Sequence, residues 1–249
     1  MNDMSIPLLL AIALTFFAAG TVKGVTGMGL PTVAMGVLGA LISPLAAASL
    51  LIVPSFVTNV WQLVAGPAFR STGRRLWPMM LAICAGTMPG AAWLAGGDAG
   101  ATTTVLGIAL VIYAGYTLLA RQLAVPKRLE PLLSPLVGGL TGIVSGATGV
   151  FVIPAVPYLQ ALGLSRDDLV QALGLSFTIS TVALAVALGA HGAFAVDTMA
   201  LSLLALVPAL IGMWAGQKLR NRISAATFRR VFLVFLLLLG AEMALRPLL

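Results

Sequence analysis

Two stretches decide the fold: Gly20-Thr21-Val22-Lys23-Gly24-Val25-Thr26-Gly27-Met28-Gly29-Leu30-Pro31 and Gly142-Ile143-Val144-Ser145-Gly146-Ala147-Thr148-Gly149-Val150-Phe151-Val152-Ile153-Pro154. Each interrupts a longer apolar segment, residues 7–43 and 134–165. Glycine and proline at this density stop a helix. The pieces Pro31–Ser43, Pro135–Gly146 and Pro154–Ser165 would each reach only about 17–20 Å as helix, against a hydrocarbon core of about 30 Å. Pro7–Val22 would reach about 24 Å. The spacing therefore predicts two helical hairpins that dip past mid-membrane and return, the first lopsided.

The rest of the chain places these hairpins in a bilayer. Of the 249 residues, 60% are hydrophobic and 8% charged, with a mean hydropathy of +1.08. A water-soluble domain carries roughly 25% charged residues. Six further apolar runs, 45–65, 77–95, 102–120, 169–190, 198–216 and 228–245, are long enough to span. The N-terminal run has no basic flank, only Asp3, which reads as a first membrane segment rather than a cleaved signal.

The net charge of +7 is not spread as in a nucleic-acid binder. Most basic residues fall in three short loops: Arg70, Arg74 and Arg75; Arg121, Lys127 and Arg128; and Lys218, Arg220, Arg222, Arg229 and Arg230. That is the positive-inside pattern. With those loops in the cytoplasm, Asp98, His191 and Asp197 face out. The first hairpin then enters from outside and the second from inside. Arg246, on the outer side, goes against the rule.

A constant offset of 122 residues relates Gly20 to Gly142, Gly24 to Gly146 and Gly27 to Gly149, and continues through Ser43 to Ser165, Leu51 to Leu173, Thr58 to Ser180 and Asn59 to Thr181. Gly86 and Gly90 have a looser echo in Gly212 and Gly216. The expected fold is all-α and polytopic, with two inverted-topology repeats. Repeat 1 covers 1–122, a cytoplasmic linker 123–133, and repeat 2 covers 134–249, each repeat a glycine-broken hairpin plus three spans. Inverted repeats with broken helices at mid-membrane are a recurring transporter plan.

A broken helix leaves backbone groups that must line protein or a polar cavity. Half-helices starting near Leu30 and Val150 would point N–H groups at the centre, which favours an anion. Lys23 is the one Lys or Arg well inside a predicted membrane segment, and no carboxylate lies near it in sequence. An intramembrane charge is a functional candidate, and an anionic substrate would neutralise it; snorkelling to the headgroups is the alternative. The candidate substrate-binding set is Lys23, Gly24, Thr26, Gly27, Gly29, Asn59, Ser145, Gly146, Thr148, Gly149, Gln171 and Thr181. For the glycines, close helix packing is the competing reading. Cys84 and His191 stand alone, so no disulfide, thiolate cluster or multi-histidine metal site is expected. Trp61, Trp77, Trp93 and Trp214 read as interface anchors.

The duplicated breaks GTVKGVTGMGLP and GIVSGATGVFVIP, each followed by a span, resemble the TauE/SafE family of sulfite and organosulfonate exporters over essentially the whole chain. The family often has consecutive glycines at the break, where this chain has Gly27-Met28-Gly29 and Gly146-Ala147-Thr148-Gly149. The resemblance implies a secondary transporter exporting a small sulfur-containing anion through a bacterial inner membrane. The residues themselves point to a small anion without supplying the sulfur, so a channel or a carrier of another anion stays open. An intramembrane enzyme would need paired carboxylates, a His cluster or a Ser–Lys dyad within the spans, and these are missing from the sequence. No cofactor is called for. The expected partners are the anion and the bilayer, not nucleic acid, and a homodimer is compatible with the sequence but not specified by it.

Overall fold

The computed structural model describes residues 5–119, 124–193, 196–220, 222 and 224–248, so Ala120 and Arg121 lie outside it, as does the side chain of Asp197. Of the described residues, 87% are helical. Its ten described α-helices are α1 (Ile6–Thr26), α2 (Leu30–Leu41), α3 (Pro44–Val64), α4 (Phe69–Gly96), α5 (Ala99–Leu119), α6 (Glu130–Thr148), α7 (Ala155–Ala161), α8 (Arg166–Ala190), α9 (Val196–Leu219) and α10 (Ala225–Leu245). Seven are long and apolar enough to cross a membrane: α1, α3, α4, α5, α6 with the 3-10 turn before it, α8 and α9. The six expected runs correspond to α3, α4, α5, α8, α9 and α10, with α4 starting earlier, at Phe69.

The expectation for the two breaks is corrected. Residues 135–146 are not a half-helix. They lie inside α6, whose 19 residues reach about 28 Å. Residues 7–22 likewise belong to the 21-residue α1. Gly20, Gly24, Gly142 and Gly146 do not stop their helices. They let two pairs of backbones touch. A methyl group on Gly20 or Gly24 would collide with the Ala209 or Met213 carbonyl of α9, and one on Gly142 or Gly146 with the Ile83 or Thr87 carbonyl of α4. Gly212 and Gly216 meet α1 at Phe17 and Thr21, while Gly86 and Gly90 meet α6 at Gly139 and Ile143. Without a hydrophobic drive between helices in lipid, close packing of this kind holds them together. It outweighs the roughly 1 kcal/mol that each helical glycine costs.

The chain turns later, at Gly27–Gly29 and after Thr148. Gly27 and Gly149 cap α1 and α6 in the left-handed conformation, at φ 80° and 66°. Their N–H groups donate to the carbonyls of Lys23 and Ser145, both at 2.8 Å. Thr26 Oγ accepts from Met28 N–H at 3.3 Å, and Thr148 Oγ accepts from Val150 N–H at 3.2 Å. Pro31, in the first turn of α2, needs no N–H partner. The second short helix starts at Ala155 rather than near Val150, and has seven residues. The residue before a proline is disfavoured in helical conformation, so Ile153-Pro154 holds the helix back. Ser43 and Ser165 then cap α3 and α8, accepting from Ala46 and Asp168 N–H at 3.2 Å.

The helix ends that carry the basic residues meet at one end of the bundle. Gln171 on α8 reaches the α3–α4 turn, and Val125 N–H donates to Ala161 O at 2.8 Å. Arg75 on α4 forks onto Glu130 at the start of α6, at 2.6 and 2.8 Å, and also donates to Leu162 O at the end of α7, at 3.4 Å. At the opposite end, Arg246 pairs with Glu242 at 2.6 Å and donates to Ala40 O in the last turn of α2, at 3.3 Å. The carbonyl end of each short helix thus receives an arginine held by a glutamate. That accounts for the basic residue at position 246.

Two outcomes are expected from this packing. Gly142→Ala should unfold or strongly destabilise the protein in detergent, whereas Gly139→Ala, which meets open space, should hold or gain about 0.5–1 kcal/mol; thermal unfolding of the pair measures this. Arg75→Ala should cost about 1–3 kcal/mol, because Glu130 is largely buried, and Arg70→Ala in the same assay should cost almost nothing.

Candidate functional site

Lys23 sits in the last turn of α1 and is 4% exposed. It reaches the wall of a cavity of about 660 Å³ at the basic end of the bundle. Residues from α1, α3, α5, α8, α9 and α10 line that cavity, together with Gly27 and Met28 of the first break. Its cations are Lys23, Arg166, Arg220 and Arg229, and no Asp or Glu is among its lining residues.

The Lys23 ammonium donates to Asn59 Oδ1 on α3. Asn59 Nδ2 donates to Thr181 Oγ1 on α8 at 3.3 Å, and Thr181 donates onward to Phe177 O at 2.7 Å. An ammonium is donor-only, so the amide must turn its oxygen to Lys23 and its NH2 to the threonine. The chain Lys23–Asn59–Thr181 is fully directional and ends on a backbone carbonyl. One neutral amide does not compensate a buried positive charge, and two of the ammonium's three donors are left for something in the cavity. Snorkelling does not describe this side chain, whose terminal nitrogen is held between helices.

The candidate residues separate into three groups. Lys23, Gly24, Thr26 and Gly27 line the cavity. Asn59 and Thr181 stand behind Lys23, both fully buried. The rest lie elsewhere. Gly29 faces the side chains of Val22 and Phe232, Gly146 abuts α4, and the Met35 side chain stands against Gly149. Ser145 donates to Gly142 O at 3.0 Å and Thr148 to Val144 O at 2.6 Å. Gln171 spends its amide on the α3–α4 turn, donating to Leu63 O and Gly66 O at 2.7 and 2.8 Å and accepting from Ala68 N–H at 2.7 Å.

Sequence reasoning missed Arg166, Arg229, Gln217 and Tyr113 as lining residues. Arg229 carried a signal that was read only as topology, and Arg166, between the second break and its following span, was not singled out. Tyr113 carried none, being one aromatic in an apolar span.

If the ammonium is held only by Asn59, removing one partner costs more than removing both. Asn59→Leu should destabilise the protein by about 1–3 kcal/mol, and Lys23→Met in the same chain should restore most of it. Thermal unfolding of the double-mutant cycle in detergent checks this, and additive losses would contradict it.

A family model described as Sulfite exporter TauE/SafE matches residues 12–243. No curated protein and no solved structure matches the chain.

Proposed function

The chain belongs to the TauE/SafE sulfite exporter family, one of integral membrane transporters of sulfite and related sulfur anions, and from that premise we propose that it exports sulfite or an organosulfonate by alternating access. The observation that carries this reading is the Lys23 ammonium, which among the described residues is paired only to a neutral amide, in a cavity lined by further cations and by no described carboxylate. An anion bound there completes the charge balance of a group the fold leaves uncompensated. An oxyanion suits the site because its oxygens accept from several directions.

The cavity belongs to an inward-facing state, since its mouth carries Arg166, Arg220 and Arg229 from the basic end. Alternation follows if the halves are inverted repeats with re-entrant hairpins α1–α2 and α6–α7. Several contacts support this. The turns at Gly27 and Gly149, the hydroxyls of Thr26 and Thr148 and the capped carbonyls of Ala40 and Leu162 recur at one offset. Asn59 and Thr181, 122 residues apart, touch each other, as residues on a two-fold axis must. The α1–α9 and α4–α6 contacts at Gly20 and Gly142 are also interchangeable, with Ala209 and Met213 standing to one as Ile83 and Thr87 stand to the other.

The counterpart of the cavity on the outer side is filled. Met35 stands against Gly149, Val150 and Phe151 are buried, and Ser180, the counterpart of Thr58, is buried without a hydrogen-bond partner. Exchange of the two arrangements would open that side. Arg166 falls at the position of Pro44 in the other half, so the cationic mouth has no full counterpart there. A basic funnel in the cytoplasm favours loading from inside. The membrane potential then assists, at about 2.3 kcal/mol per 100 mV for each charge expelled.

Proteoliposomes holding the purified protein should move radiolabelled sulfite or sulfoacetate saturably, faster when the potential draws the anion away from the basic face. Lys23→Met should lower transport at least about tenfold while remaining folded. Folded wild-type protein that moves neither anion would remove the sulfur assignment.

A further inference from the structure

Tyr113 on α5 is 3% exposed, and its ring borders two cavities. On one side is the cavity of Lys23. On the other is an apolar cavity of about 280 Å³ lined by side chains such as Ile112, Val137 and Ile153. A buried phenol ordinarily gives its hydroxyl an oxygen or nitrogen partner. Among the described residues the hydroxyl of Tyr113 has only Met28 Sδ, at 4.0 Å, and a thioether is a weak acceptor.

Tyr158 provides the comparison, because it lines the same apolar cavity. Its hydroxyl lies 2.6 Å from Ser134 Oγ and donates to Glu130 O at 3.4 Å. The fold uses the Tyr158 hydroxyl and leaves that of Tyr113 idle. Met28, which the Tyr113 hydroxyl approaches, belongs to the first break and itself lines the Lys23 cavity. The unused donor therefore lies at the polar cavity, beside the turn that follows Lys23.

We propose that Tyr113 is a substrate-binding residue whose hydroxyl donates to one oxygen of an oxyanion while Lys23 supplies the positive charge. The assignment rests on the reading of this cavity as an anion site. An ammonium on a flexible stem attracts any anion without directing it. A phenol held by α5 adds a neutral donor with a fixed direction, so it sets the orientation and the preference of the site. The flanking cavity is apolar, so nothing on that side competes for the hydroxyl.

The test compares sulfite binding and thermal stability in purified wild-type protein, Tyr113→Phe and Tyr158→Phe. Tyr113→Phe should weaken sulfite binding at least about tenfold with unfolding temperature unchanged or raised, since an idle buried hydroxyl is removed. Tyr158→Phe should do the reverse, lowering the unfolding temperature and leaving affinity alone. Equal sulfite affinity in wild type and Tyr113→Phe overturns the assignment and leaves the anion reading standing. A loss of affinity matched by a loss of stability places Tyr113 in the fold and also overturns it. Folded wild-type protein that binds neither sulfite nor sulfoacetate overturns both.

Discussion

Hydrocarbon offers no hydrogen bonds, and that constraint governs every feature of this chain. Each backbone N–H and C=O within the bilayer must find its partner in the protein. The helices meet the requirement along their lengths and the two turns meet it locally. At Gly27 and Gly149 the left-handed cap returns an N–H to the preceding turn, and Thr26 and Thr148 take up another. Short helices end in the same way, with their last carbonyls given to Arg75 and Arg246. Helix association then depends on close contact rather than on hydrophobic burial, so α1 lies on α9 and α4 on α6 where glycine removes the side chain from both surfaces.

Against that background Lys23 is the exception. Its ammonium is buried between helices, and the fold answers it with an amide rather than a carboxylate. A carboxylate would have closed the account internally and left nothing for a ligand. The amide holds the nitrogen in position, orients it through Thr181, and keeps its charge available to the cavity. The same logic separates Tyr158 on α7, whose hydroxyl the fold satisfies, from Tyr113 on α5, whose hydroxyl it does not.

Much of this was legible from residue order. Hydropathy and run length placed the helices, the basic loops placed the ends that meet, and the offset of 122 pairs Asn59 with Thr181, which are in contact. Lys23 stood out because a cation in an apolar run is rare. The reading failed where glycine has two uses. Gly24 and Gly27 are three residues apart and identical in kind, yet one sits in a helix against a neighbouring backbone and the other turns the chain. Gln171 is a comparable case, since a polar residue in a span serves a turn of the fold as readily as a ligand.

What the sequence by itself determined is therefore the class of the molecule: a helical membrane protein, its long apolar helices and one buried cation. These follow from local quantities, namely the length of an apolar run and the position of a charge, which transfer free energy reads residue by residue. Only the tertiary structure decided which glycines pack and which turn, which hydroxyls are spent, and which arginines join Lys23 around one cavity. Those outcomes depend on what lies opposite each residue on another helix, and in lipid the contacts that choose the opposite residue are short-ranged and specific to shape.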